Sequence, residues 1–303
     1  KIREVYGDGS EGYVFDVKSE DIEETNRQNQ PVPGGYDPDC TVKTRTGIYV
    51  GEKQKKVINY LGIPYAKPPV GELRWKAPEP LPSSETVFEA VSFGASAIQV
   101  EHRGVILKQH RQSEDCLYLD ISTGAQKTDA KKPVLVVFHY GDFSFGGSAD
   151  PLLNGFDFVG FHPDVVFVSF NYHLGIFGFI DFSYVPGGES YPDALNLGLL
   201  DQIAALKWIK ENIAAFGGDP ERITVLGFES GATSICLLIA DKRARGLFNK
   251  AFVFSGSLET VYDTPDASRT LAENLLKETN TTTMEELVRL ETKSLKDAAQ
   301  KTT

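Results

Sequence analysis

The sequence predicts an α/β protein with a mostly parallel central sheet and helices on both faces. Continuous apolar, β-branched runs at 133–139 and 164–171 are typical of strands buried on both faces of such a sheet. Residues 200–216 repeat apolar positions at helical spacing and end at Gly217. Strand and helix patterns then continue to alternate, which favours a doubly wound sheet.

The elements follow in order along the chain. Residues 1–38 are polar and rich in Gly and Pro, and we interpret them as an N-terminal arm. Residues 39–303 form the single remaining domain. Its first part, 41–61, alternates apolar and polar residues between turns, which predicts antiparallel hairpins. The later patterns predict strands at 116–122, 222–226 and 250–254, and helices at 230–241, 267–277 and 284–300.

Composition narrows the class of function. With 303 residues and 41% apolar content, the chain can bury a large core. A net charge of −11 disfavours nucleic acid or an anionic membrane surface as a partner. The sequence has no apolar run near the roughly 18–20 residues that span a bilayer. We expect no cofactor, because the Gly pairs lack a phosphate-loop setting and no Cys/His pattern has zinc spacing.

A strand, a tight turn and a helix start follow one another at 222–235. The turn has Gly227 and Gly231 in the flanking positions of G-x-S-x-G, the pattern that holds a nucleophilic serine in a sharp elbow. The central position is Glu229, and Ser230 comes one residue late. The pattern therefore predicts an elbow with an altered reactive group.

Five ordered blocks carry a resemblance to a known family. They are Leu-Gly-Ile-Pro-Tyr-Ala-Lys-Pro-Pro-Val-Gly-Glu-Leu-Arg at 61–74, Ser-Glu-Asp-Cys-Leu-Tyr-Leu at 113–119, Asn-Tyr-His-Leu-Gly-Ile-Phe-Gly-Phe at 171–179, Asn-Leu-Gly-Leu-Leu-Asp-Gln at 196–202 and Ala-Ala-Phe-Gly-Gly-Asp-Pro at 214–220. The chain resembles the type-B carboxylesterase/cholinesterase family. The resemblance implies the α/β-hydrolase fold, of which this chain would be the N-terminal half. The other half would be a second chain, a cleaved fragment or a partner.

The resemblance implies a serine nucleophile, and two interpretations of the elbow stay open. Glu229 occupies the tip, and a carboxylate is a weak nucleophile toward esters. Ser230 could reach the tip only if the turn bulged by one residue. Otherwise Ser230 starts the helix, with its hydroxyl bonded to nearby backbone.

The oxyanion loop that the resemblance implies is also altered. Where the family has His-Gly-Gly-Gly or similar, residues 139–147 read His-Tyr-Gly-Asp-Phe-Ser-Phe-Gly-Gly. The Gly141 N–H remains a possible donor, but the Asp142 carboxylate beside it would oppose an oxyanion by about 4 kcal/mol at ~4 Å. Alternatively, Asp142 turns outward. If Glu229 and Asp142 face each other, the pocket could bind a cation or a small cationic ligand.

The family's histidine base, which follows its nucleophile, has no counterpart here. All five histidines precede the elbow: His102, His110, His139, His162 and His173. We interpret His139 as structural. His173 replaces the arginine that in the family pairs with the aspartate matching Asp201, which predicts a weakened buried pair. The Arg74–Glu114 pair is retained in residue type.

Cysteine is sparse, and an odd count cannot be fully paired within one chain. Cys40 and Cys116 could form a bridge, although three reduced thiols, counting Cys236, fit a reducing compartment. This favours a cytoplasmic over a secreted location. The glycosylation triplet at Asn280 matters only if the protein is secreted.

Three functional hypotheses follow. The first is a catalytically impaired carboxylesterase-like protein that serves as a binding or assembly module. The second is an active ester hydrolase split over two chains, with Ser230 as nucleophile, Gly141 among the oxyanion donors, and acid and base from the other chain. The third is a truncated, non-functional remnant.

Overall fold

The computed structural model describes residues 36–100, 111–125, 131–258 and 265–302. Its strands are β1 (Thr41–Lys43), β2 (Ile48–Val50), β3 (Glu52–Gln54), β4 (Val57–Pro64), β5 (Val87–Glu89), β6 (Tyr118–Gly124), β7 (Lys132–Phe138), β8 (Val166–Phe170), β9 (Gly218–Phe228) and β10 (Lys250–Phe254). Its α-helices are α1 (Gly155–Phe161), α2 (Leu197–Asn212), α3 (Ser230–Ala240), α4 (Pro265–Thr279), α5 (Met284–Val288) and α6 (Thr292–Thr302).

Seven strands form one mixed sheet in the order β10-β9-β7-β8-β6-β4-β3. The strands from β10 to β8 are parallel, and those from β8 to β3 pair antiparallel. Of the N-terminal antiparallel strands that the sequence predicts, β3 and β4 therefore extend the central sheet. A second sheet of β1, β2 and β5 completes the β-structure of the described chain.

Helices cover both faces of this sheet, as the sequence predicts. Along β7, Val134 and Val136 belong to the large core cluster, to which α2 contributes Ile203. Val137, which points to the opposite face, packs in a smaller cluster with Val159 of α1. This alternation explains the unbroken apolar run of β7, because neither of its faces is exposed to water.

The C-terminal region differs from the sequence prediction. The expected helix 284–300 is two helices, α5 and α6, separated at 289–291. The Arg74 guanidinium donates to the carbonyls of Val288 and Leu290, so these acceptors are used by a side chain rather than by a continuing helix. The prediction of one surface helix is wrong in this respect. Leu287 and Leu295 are buried in a second core cluster.

Strand β10 forms one edge of the sheet and is exposed along its whole length. Phe252, Val253 and Phe254 are all solvent-exposed, with Phe254 stacked on Phe228 of β9 at 5.2 Å between ring centres. Buried strands of parallel sheets are covered on both faces, and an uncovered apolar edge is a site for strand pairing. This edge therefore offers apolar side chains and free strand positions to a partner.

Two other predictions concern the whole chain. Cys40, Cys116 and Cys236 are all unpaired, so the Cys40–Cys116 bridge is not formed. Over the ranges that the structure describes, no helix combines the length and apolarity needed to cross a bilayer. His102, His110 and most of the proposed arm lie outside the described residues.

Candidate functional site

The turn between β9 and α3 has the tight geometry that its glycines predict. Glu229 stands at the tip with φ 52° and ψ −118°, a conformation that costs an L-residue roughly 1–3 kcal/mol. A Cβ on Gly227 would lie 2.4 Å from the carbonyl carbon of Gly231, and one on Gly231 would lie 2.5 Å from the Phe138 carbonyl oxygen. The two glycines therefore allow the close approach of strand and helix that puts Glu229 at the tip.

The Glu229 carboxylate turns back onto the loop that follows β7. Its Oε2 accepts hydrogen bonds from the Gly141 N–H at 2.7 Å and from the Asp142 N–H at 3.1 Å. The Ser230 hydroxyl donates to the same oxygen at 3.0 Å. Two main-chain amides that converge on one anionic oxygen form the arrangement that stabilises an oxyanion in acyl transfer. Here a side chain of the protein occupies it.

The loop is held in this shape by its own backbone. Gly141 has φ +123°, and a Cβ there would lie 2.0 Å from the Phe145 carbonyl oxygen. Asp142 and Phe143 both have positive φ. At the far end, the Gln99 amide bonds both the N–H and the carbonyl of Gly146 at 3.0 Å. Gln99 is a positioning residue that the sequence motifs did not indicate.

The pocket holds a negative charge at neutral pH. Burial raises the pKa of Glu229, but the amides of Gly141, Ser230 and Asp142 and the Ser230 hydroxyl together outweigh burial, so the pKa is lowered. The ionised carboxylate therefore occupies the position on which the Gly141 and Asp142 amides converge.

Asp142 contacts the Glu229 carboxylate through its main chain and not through its side chain. Its N–H donates to Glu229, and the residue is exposed to solvent. The Glu229 charge thus has amide donors, which removes the reason for a cation between the two carboxylates. Within the described ranges, no three His, Cys, Asp or Glu side chains gather closely enough to hold a metal.

Ser230 is the first residue of α3 and is 3% exposed. Its hydroxyl bonds the Glu229 carboxylate instead of the backbone acceptor that the sequence led us to expect. The turn does not bulge, so Ser230 stays beside the tip. In the described part of the chain its hydrogen bond goes to a carboxylate and not to an imidazole.

His139 lies close by but is built into the core. Its ring stacks on Tyr172 at 4.3 Å, and its Nδ1 lies 2.8 Å from the Tyr140 carbonyl oxygen. Its Nε2 is buried with no hydrogen-bond partner among the described residues. Burial lowers the pKa of His139 to about 4, so the imidazole is neutral at pH 7. These contacts support a structural role.

The two buried side-chain pairs of the family pattern are both in contact. His173 Nδ1 lies 2.6 Å from Asp201 Oδ2, and the His173 N–H donates to the same oxygen at 2.9 Å. The pair that we expected to be weakened is thus closely hydrogen-bonded. Arg74 and Glu114 form a two-point pair at 2.6 and 2.7 Å.

The chain is similar to known esterases in both sequence and structure. The family model described as "Carboxylesterase family" matches residues 38–302. A para-nitrobenzyl esterase of Bacillus subtilis is 43% identical over 76% of this chain and 46% of its own length. A fumonisin B1 esterase of Sphingopyxis macrogoltabida is 36% identical over 73% of this chain and 41% of its own length.

Solved structures give the same result. A Geobacillus stearothermophilus carboxylesterase superposes with a TM-score of 0.79 at 40% identity, covering 86% of this chain and 53% of the other. A thermophilic para-nitrobenzyl esterase superposes with a TM-score of 0.78 at 37% identity. The chain spans about half the length of these relatives. With the α/β-hydrolase architecture and the elbow in place, the chain belongs to the carboxylesterase family.

Proposed function

We propose that this chain is a carboxylesterase-family protein that does not hydrolyse esters at its elbow and serves as a binding or assembly module. The contact between Glu229 and the Gly141 and Asp142 amides is the observation that carries the proposal. Acyl transfer needs those donors for the charge that develops in the transition state, and loss of a single donor costs about 10²–10³ in rate. Here both donors are already hydrogen-bonded to a resident anion.

The chemistry of the tip supports the same proposal. Glu229 is a poor nucleophile toward esters. A companion chain could supply a base, but it could not remove the Glu229 carboxylate from the amide donors.

The assembly role rests on strand β10. Its five residues are exposed on a sheet edge, and the chain spans about half of its relatives. In this proposal a companion polypeptide with the C-terminal half of the fold adds a strand beside β10 and covers Phe252 and Phe254. Val253→Lys should weaken that pairing, because it places a charge on the apolar edge.

A split, active hydrolase is the second candidate, and one contact favours it. The Ser230 hydroxyl donates to Glu229 Oε2 at 3.0 Å, which places a carboxylate base beside a possible nucleophile. Burial of Ser230 counts against it, since a substrate carbonyl has to reach the oxygen.

One experiment separates the two candidates. The purified protein, with every polypeptide that co-purifies with it, is treated with a fluorophosphonate probe after its native mass has been measured. We expect a companion chain and no labelling of this chain. Labelling that disappears in Ser230→Ala would overturn the non-hydrolytic proposal. An unlabelled chain of 33.3 kDa with no companion would overturn the assembly role.

A further inference from the structure

A cavity of about 250 Å³ lies between helix α2 and the chain at 65–80. It is separate from the elbow, because Gly141, Glu229 and Ser230 do not line it. Pro80 and Lys207, both exposed, are among its lining residues, so the cavity opens to solvent. An engineered protein cavity of about 150 Å³ binds benzene, so this one has room for an aromatic ring that carries a polar group.

One face of α2 forms a wall of this cavity. Leu200, Ala204, Lys207 and Glu211 line it and follow one another at three or four residues, which places them on the same side of the helix. The apolar residues come first along this face and the charged residues come last. A ligand that lies along α2 therefore meets an apolar surface at one end and charged groups at the other.

The opposite wall includes the chain at 77–80, which is fixed in place. Ala77, Pro78 and Pro80 line the cavity, and proline has little backbone freedom. The Lys67 N–H donates to the Glu79 carbonyl at 2.9 Å, and the Lys67 ammonium group lies 2.7 Å from the Glu79 carboxylate. Both walls are thus formed before a ligand binds, which lowers the cost of ordering them on binding.

The described residues that line the cavity include three cations and one carboxylate: Arg45, Lys207, Arg243 and Glu211. Arg45 lies 3.6 Å from the Glu211 carboxylate, and Arg243 donates to Asp241 at 2.6 Å. Glu211 also follows Lys207 by one helical turn, but lysine before glutamate is the weaker order for such a pair. Lys207 has neither a hydrogen bond nor an ion pair in the part of the chain that the structure describes. Its ammonium group is therefore available to a ligand.

We infer that this cavity binds a small aromatic carboxylate, of which benzoate is the simplest example. The ring would pack against Trp208 and Tyr65, which line the cavity, and aromatic pairs are favourable beyond the area they bury. The carboxylate would accept a charge-assisted hydrogen bond from Lys207. A cationic ligand fits less well, because the lining cations outnumber the carboxylate. Inorganic phosphate carries the charge but leaves the apolar part of the cavity unfilled.

The test is titration of the protein, as purified, with para-fluorobenzoate, followed by the line width of the ligand in fluorine NMR. We expect saturable binding, and affinity at least about threefold lower for para-fluorobenzyl alcohol, which has the ring without the charge. Lys207→Gln removes the charge and keeps a long side chain that favours helix, and it should weaken para-fluorobenzoate binding at least about threefold. Lys293→Gln removes the same charge from an exposed position on α6 and should leave the affinity unchanged.

Ala204→Phe tests the location, because the larger side chain fills space beside the α2 wall and should abolish binding of both ligands. Undiminished binding by a folded Ala204→Phe would overturn the inference. So would absent binding by the wild type, or equal para-fluorobenzoate affinity of the wild type and Lys207→Gln. Lys207 is exposed, so its replacement leaves the fold intact and decides the matter even if Ala204→Phe does not fold. The cavity shares no lining residue with the elbow, so the result is independent of the proposed function.

Discussion

Glu229 Oε2 lies 2.7 Å from the main-chain nitrogen of Gly141, 88 residues away in the chain. The distance and the second bond to Asp142 are those of a carboxylate bound by an oxyanion pocket. A tip substitution can abolish catalysis simply by removing the nucleophile. In the proposed function, Glu229 also places a permanent anion on the amides that would otherwise stabilise the transition state.

Glu229→Ala should expose this pocket to added anions. The variant leaves the Gly141 and Asp142 amides without the carboxylate, and we expect a loss of about 1–2 kcal/mol in the free energy of unfolding. Acetate should restore about 1.4 kcal/mol at ten times its dissociation constant, because it binds only the folded state. Urea unfolding with and without acetate measures both effects. Glu72→Ala, at an exposed position, is the control, and an equal acetate response in the two variants would contradict the interpretation.

Gly231→Ala should destabilise the elbow strongly. The added Cβ would lie 2.5 Å from the Phe138 carbonyl oxygen, so strand or helix has to shift, at a cost of about 2–4 kcal/mol. Gly160→Ala offers a matched control on α1, since nothing lies within 4 Å of its Cβ. That change should be neutral or stabilise by up to about 1 kcal/mol. Thermal unfolding of both variants tests the contrast, and similar melting temperatures would mean that the elbow is not tightly packed.

His139 should make stability depend on pH. Its folded-state pKa of about 4 lies below that of the unfolded chain, so protons bind the unfolded state preferentially as the pH falls from about 6.5 to 4. The wild type should therefore lose about 2–3 kcal/mol relative to His139→Phe between pH 7 and pH 4.5. The Asp150 and Glu229 charges face His139 and favour its protonation, and both are present in each protein.

The readout for His139 is the difference between the two unfolding free energies at each pH. The change of this difference with pH cancels the effect of the lost hydrogen bond to the Tyr140 carbonyl, because that effect is the same at every pH. His162→Phe, at an exposed position, is the matched control and should show a smaller change. If the difference in unfolding free energy between the wild type and His139→Phe stayed constant from pH 7 to 4.5, the pKa of His139 would not be lowered in the folded state.

Arg74→Lys should loosen the C-terminal helices. Arg74 pairs with Glu114 and also donates to the Val288 and Leu290 carbonyls. The single ammonium group of lysine cannot make all of these hydrogen bonds at once. We expect a loss of about 2–4 kcal/mol in the free energy of unfolding and faster proteolysis near 289–291. Arg289→Lys alters an exposed pair with Glu285 and should cost less than about 0.5 kcal/mol. Equal proteolysis rates in both variants would argue against the anchoring role.

The local part of the candidate site follows from the sequence. The apolar run of β7 predicts a buried strand, and both faces of that strand are covered. Gly227 and Gly231 predict a tight turn, because larger side chains would clash there. The apolar run and the glycine spacing can both be read from residues that are adjacent in the sequence. They are sufficient to place Glu229 at the tip and Ser230 at the start of α3.

The tertiary structure alone decided where those side chains point. The bond from Gly141 to Glu229 and the bond from Arg74 to Leu290 both join segments far apart in sequence. Periodicity and turn signals report which residues are buried, but they carry no information on which distant donor meets which acceptor. That pairing is set by the packing of the sheet, and it determines which anion occupies the oxyanion pocket.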